Sequence, residues 1–162
     1  MTSEDQHDNT ISLNRVESTS LGNIFPHVLR VFQSNALLPP DSSEEWCANL
    51  DVVGESNRWI QITSNILNFP YHASSPPDYL LQTVLKYLPA AKILTWQPTI
   101  FVTVSFESQN PLEIAKIVDE IFVQFFRLDH YAVTATILKI PLILKFSPIC
   151  NIVMNENRDL NS

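Results

Sequence analysis

The sequence predicts an α+β fold: a two-layer sandwich with a mostly antiparallel sheet of about four to six strands and helices packed mainly on one face. Two observations carry this prediction. Residues Thr99 to Ile137 read strand, helix, strand (TIFVTVSF, then NPLEIAKIVDEIFVQFFRL, then YAVTATI). Both of those strands set one apolar face against a face of small, mostly polar side chains. A doubly wound sheet, covered on both sides, would show strands apolar on both faces.

In this unit Ile100, Val102, Val104 and Phe106 alternate with Thr103 and Ser105, and only Phe101 breaks the alternation. Asn110 is placed to cap a helix whose first turn holds Pro111 and whose third position is Glu113, close to a capping box. Ile114, Ile117, Val118, Ile121, Phe122 and Phe125 then form one stripe, with Glu113, Lys116, Glu120, Gln124 and Arg127 opposite. After the Asp129-His130 turn, Tyr131, Val133, Ala135 and Ile137 alternate with Ala132, Thr134 and Thr136.

The remaining elements follow from local signals. Residues 1–18 are polar and lack a sustained period, so they are expected to form a disordered arm, and residues 154–162 a disordered tail; residues 19–153 form one domain. From Leu21 a helical spacing appears, with Asn23 as the expected cap, Pro26 in the first turn, and His27 and Arg30 on the wetter side. Trp46 to Val53 and Arg58 to Thr63 read as a hairpin around Gly54-Glu55-Ser56-Asn57, with the pattern drifting through Ser64 to Tyr71 as a continuation past a bulge. Ser75-Pro76-Pro77-Asp78 is a helix start, and Leu80, Leu81, Val84, Leu85 and Leu88 carry an apolar stripe to Pro89. Ile93 and Trp96 suit an edge strand ended by Pro98, and Leu142 to Phe146 a last edge strand between prolines.

Composition narrows the function classes. With 162 residues and 45% apolar content, one sizeable core is expected. A net charge of −7 argues against binding a nucleic-acid backbone or an anionic membrane. Two cysteines, Cys47 and Cys150, make no disulfide framework, and no signal peptide is evident, so a reducing cytoplasm is the expected location. Two glycines, Gly22 and Gly54, are too few and too far apart for a phosphate-cradling loop.

No chemistry is assembled by spacing alone. His7, His27, His72 and His130 include no pair at metal-ligand spacing, so no metal site and no cofactor is expected. Cys47 and Cys150 read as small core residues, and Asp119 and Glu120 as a solvated helix face. No catalytic residue is assigned. The candidate binding surface is the polar back of the sheet, carried by Trp59, Gln61, Thr103, Ser105 and Thr134, with an aromatic anchor of the kind that mediates partner binding. The competing reading has Trp59 covered by the Ser75 to Leu88 helix or the Trp96 segment.

The element order carried by Asn23 to Ser34, Trp46 to Thr63, Thr99 to Phe106, Pro111 to Arg127 and Tyr131 to Phe146 resembles the α-β-β-β-α-β-β core of the type III secretion chaperones and YbjN-like domains. The helix at Ser75 to Leu88 is an insertion relative to that core. The resemblance implies a non-enzymatic protein that dimerises and holds another polypeptide along a sheet or groove. The expected function is therefore a small acidic cytoplasmic protein-binding module, of chaperone or adaptor type, whose partner is another protein or a second copy of itself. Two further readings are an immunity-type inhibitor whose acidic face blocks a basic toxin, and an enzyme assembled from scattered residues such as His72, Asp78 and Tyr131.

Overall fold

Seven strands pair antiparallel in one sheet, ordered β1-β7-β2-β3-β4-β6-β5. The computed structural model describes residues 14–17 and 21–142, and for residues 14–17 and 21–23 the backbone alone. The strands are β1 (Asn14–Glu17), β2 (Glu44–Val52), β3 (Trp59–Ile62), β4 (Ile66–Pro70), β5 (Lys92–Gln97), β6 (Phe101–Ser105) and β7 (Ala132–Pro141). The helices are α1 (Leu21–Ala36) and α2 (Pro111–Glu120), and a 3-10 segment spans Pro77–Gln82. The α+β class with an antiparallel sheet is as expected. Four residues of the expected N-terminal arm, Asn14–Glu17, pair with β7 as an edge strand. The rest of the arm, the tail and most of the strand expected at Leu142 to Phe146 lie outside the described residues.

One face of the sheet carries the main core. Leu50, Ile60, Leu67, Val102 and Val133, one from each of five strands, are buried there with Ile24 and Val28 of α1 and Ile114 and Val118 of α2. Period-2 alternation delivers these side chains to the same side, and period-3.6 repetition supplies the helix stripes that cover them.

Several local expectations need correction. In α1 the fully buried residues are Ile24, Val28 and Val31, and His27, at the i+3 position of that stripe, is also buried (6% exposed) instead of on the wetter side. The helix starts at Leu21, so Pro26 lies inside it and not in its first turn. The segment Ser75 to Leu88 is not an α-helix: it is a 3-10 stretch followed by successive turns, with Thr83 N donating to Leu80 O at 3.2 Å and Leu85 N to the same oxygen at 2.9 Å. Prolines at both ends and the β-branched Thr83-Val84 pair leave too short a run for cooperative α-helix. Its apolar stripe is nevertheless buried as expected, through Leu80, Val84, Leu85 and Leu88.

The drift after Thr63 is a tight reversal and not a bulged continuation. Thr63 N donates to Ile66 O at 3.0 Å, and Thr63 Oγ1 engages Asn65, so β4 folds back on β3 with Ile62 opposite Leu67. Ile100, expected to join the apolar side of β6, is exposed, just beyond the strand's start. The β5 edge strand is present, with an irregularity between Ile93 and Thr95.

The cap of α2 forms as expected, with Leu112 N donating to Asn110 Oδ1 at 3.0 Å. Glu113 reaches Ser108 instead of the Asn110 amide: Ser108 Oγ donates to Glu113 Oε2 and accepts from Asn110 N, each at 3.1 Å. Beyond Glu120 the helix widens into a π-turn, Ile121–Phe125, where Phe126 N donates to Ile121 O. The wider turn brings two successive aromatics to one partner, with Phe125 and Phe126 edge-on to Phe69 at 5.7 and 6.3 Å.

Candidate functional site

The five residues expected to form a binding face do share one face of the sheet. Asp51 pairs with both Trp59 and Thr134, and Asn49 pairs with both Gln61 and Thr136. Asn68 pairs with Gln61 and with Thr103, and Ser105 pairs with Ile66 on the same strand couple. This face is not an open surface, however. Trp59 and Gln61 are 5% exposed, Thr103 is 2% exposed, and Ser105 and Thr134 are half-buried. Neither expected cover accounts for Trp59, because Trp96 and the residues Leu80 to Leu88 pack with the core on the opposite side. The polar side chains there bind one another: Thr103 Oγ1 donates to Asn68 Oδ1 at 2.5 Å, and Asn68 Nδ2 donates to Gln61 Oε1 at 3.1 Å.

Among the described residues an open concavity lies on the other side of the molecule, between the 77–88 segment and the C-terminal half of α2 with its π-turn. It is a groove of about 800 Å3, lined by Tyr79, Thr83, Lys86 and Tyr87 on one wall and Glu120 and Gln124 on the other. It adjoins a cleft of about 350 Å3 that shares Tyr87 and Glu120 and is bordered by Leu112, Glu113 and Lys116. Local folding explains the walls. Leu80, Leu85 and Leu88 anchor the 77–88 segment in the core, which turns Tyr79, Lys86 and Tyr87 outward. Tyr79 is 46% exposed and Tyr87 69%, and Lys86 Nζ sits 4.8 Å from the Tyr87 ring centroid. Arg127, also on the groove wall, adopts a left-handed backbone with φ 61°, a conformation a non-glycine residue holds only when its surroundings impose it.

Charges of both signs line the groove and its neighbouring cleft. Lys86, Lys116 and Arg127 are three of the ten cations of a chain with net charge −7, and they gather around this one depression with Glu113 and Glu120. Burial, and then the neighbouring Tyr71 hydroxyl, holds the Tyr79 phenol above its usual value, which disfavours a phenolate. Tyr71 itself donates to Ser75 O at 2.5 Å.

The scattered catalytic set is not brought together. His72 Nε2 lies 3.0 Å from Arg58 Nη1, whose guanidinium rests over Phe126. Tyr131 donates to Asp119 Oδ1 at 2.5 Å, and Asp78 is exposed at the start of the 3-10 segment. None of the three lines the groove. Asp119 is therefore half-buried and engaged, in contrast to the solvated helix face expected for it, whereas Glu120 is exposed. Among the described residues no group of three or more His, Cys, Asp and Glu side chains is arranged to hold a metal ion, and no helix is long and apolar enough to cross a membrane.

The groove escaped the sequence reading because it has no motif. The available signal was two aromatics, Tyr79 and Tyr87, standing off the apolar stripe of their segment. Compared with known proteins, the chain matches no family model, no curated protein and no solved structure.

Proposed function

We propose that the chain is a non-catalytic protein-binding module that holds a short extended segment of another polypeptide in the groove between residues 77–88 and α2. The observation that carries this reading is the pair of exposed tyrosines, Tyr79 and Tyr87, on the wall of a groove large enough for several side chains. Tyrosine and arginine are the residue types that dominate binding energy at protein interfaces, and Arg127 stands beside them. Lys86, Lys116 and Arg127 favour a segment carrying carboxylates between apolar side chains. A chaperone- or adaptor-like role in the cytoplasm fits this reading, and it accords with the resemblance in element order. It moves the expected binding surface from the back of the sheet to the helical side.

Selection of displayed random short peptides against the full chain tests the proposal. Enriched peptides should combine acidic and apolar residues, and Tyr87→Ala should weaken their binding by about tenfold or more, the loss of a hot-spot side chain. The thermal midpoint should stay close to wild type, because Tyr87 contributes little to the core. No enrichment, or binding indifferent to Tyr79→Ala and Tyr87→Ala, refutes it.

A further inference from the structure

The back of the sheet contains a row of amides and hydroxyls built from alternate positions of consecutive neighbours. Thr136, Asn49, Gln61, Asn68 and Thr103 stand opposite one another in register across β7, β2, β3, β4 and β6. All five are buried. Buried amides are tolerated in a sheet only when their donors and acceptors are matched, so the direction of each hydrogen bond matters.

The directions are fixed from both ends. At one end the Thr103 hydroxyl donates to Asn68 Oδ1, which leaves Asn68 Nδ2 to donate to Gln61 Oε1. Gln61 therefore has its Nε2 uncommitted. At the other end Asn49 Nδ2 donates to the Asp51 carboxylate at 2.5 Å, so Asn49 has its Oδ1 uncommitted. Asn49 and Gln61 are direct cross-strand partners, only 2% and 5% exposed, and among the described residues neither Asn49 Oδ1 nor Gln61 Nε2 has a hydrogen-bond partner from the protein.

Turning the amides over does not supply the missing partners. A flipped Asn49 would aim its carbonyl oxygen at the Asp51 carboxylate, and a flipped Gln61 would set two NH2 groups against each other. Flipping Asn68 and Gln61 together would place the carbonyl oxygens of Gln61 and Asn49 face to face.

We infer that one water molecule is held between Gln61 and Asn49, accepting from Gln61 Nε2 and donating to Asn49 Oδ1. The chemistry of the two atoms selects this occupant. A cation is repelled by the amide donor, an anion by the carbonyl oxygen, and both residues are almost fully buried. A neutral group with a donor and an acceptor is required, and water is the smallest. With it in place, a single donor-to-acceptor chain runs from Thr103 on β6 through β4 and β3 to Asp51 on β2. Such a chain specifies strand register, because a slip of one residue would turn every amide of that strand toward the apolar core.

A crystal structure of the full chain at high resolution tests this directly. The expected result is an ordered water peak within about 3 Å of both Gln61 Nε2 and Asn49 Oδ1. In solution, the Gln61 side-chain amide protons should show cross-relaxation with a slowly exchanging water. A direct bond between the two amides, or no density between them, overturns the inference. Gln61→Met and Asn49→Leu provide an independent measurement in wild-type and double-variant chains. The second substitution should lower the thermal midpoint less when the first is already present, and equal shifts on both backgrounds overturn the coupling. Should the variants fail to fold, the wild-type crystal decides alone.

Discussion

Two buried titratable side chains show how single residues tie layers together. Tyr131 enters β7 with its ring 4.8 Å from that of Phe122 and its hydroxyl on Asp119, so one side chain links the end of α2 to the sheet. Burial first, and then the Asp119 carboxylate that accepts its proton, pushes its titration far above the usual phenol range, and it acts as a donor at every ordinary pH. His27 is pushed the other way. Burial, with a smaller contribution from Arg30, lowers its proton affinity below that of an unfolded chain, whose histidine titrates near 6.5. The unfolded chain thus takes up a proton that the folded one resists. The stability associated with a neutral His27 is fully present above about pH 6.5 and is lost as the pH falls through that value toward the lower folded pKa. The thermal midpoint should therefore decline between about pH 7 and pH 5 more steeply in wild type than in His27→Gln, by a slope equivalent to a fraction of one proton. Parallel pH profiles for the two proteins would refute this assignment.

At the scale of elements, legibility followed the strength of local rules. The α2 cap was readable because Asn-Pro with Glu113 downstream matches one geometry. Removing the cap oxygen in Asn110→Ala should cost about 1 kcal/mol in denaturant unfolding, with the m-value unchanged, whereas a loss of a few tenths would mean that Ser108 alone organises the turn. Strand alternation was equally readable, and it placed Trp59, Gln61, Thr103, Ser105 and Thr134 on one face. Their burial was not readable, since alternation reports which side a residue faces and not what that side meets. The 77–88 segment exposes the same limit from another direction: the spacing of Leu80, Leu85 and Leu88 was right for burial, but backbone type was decided by prolines and Thr83, whose hydroxyl donates to Tyr79 O at 3.0 Å. The β3–β4 reversal at Ser64-Asn65 was missed because apolar residues continue on both sides of it. The π-turn was missed because its stabilisation is tertiary, from Phe125 and Phe126 reaching Phe69. The groove depends on the backbone path of the 77–88 segment and on the π-turn, which is why the sequence pointed to the sheet instead.

For the whole molecule the decisive feature is the position of the last described strand. β7 is inserted between β1 and β2, pairing along the entire length of β2 from Glu44 opposite Pro141 to Val52 opposite Val133. Its inward side chains, Tyr131 just ahead of it and Val133, Ala135 and Ile137 within it, are all buried. The hairpins β2–β3–β4 and β5–β6 are local, but they leave β2 as an unpaired edge until β7 arrives. Sheet closure thus depends on contacts between residues about ninety positions apart in sequence, the kind of pairing that is slow to form and cooperative once formed. A chain ending at Asp129 should consequently lack the cooperative thermal transition and the dispersed amide spectrum of the full chain, even though it retains both helices and six of the seven strand segments, β1 without its partner. It should also lose peptide binding in the groove, because Asp119 would lose Tyr131 and the α2 wall one of its attachments to the sheet. A folded, cooperatively melting truncated chain would show instead that the helices and the two hairpins suffice as a core, and that β7 is an addition to a finished domain.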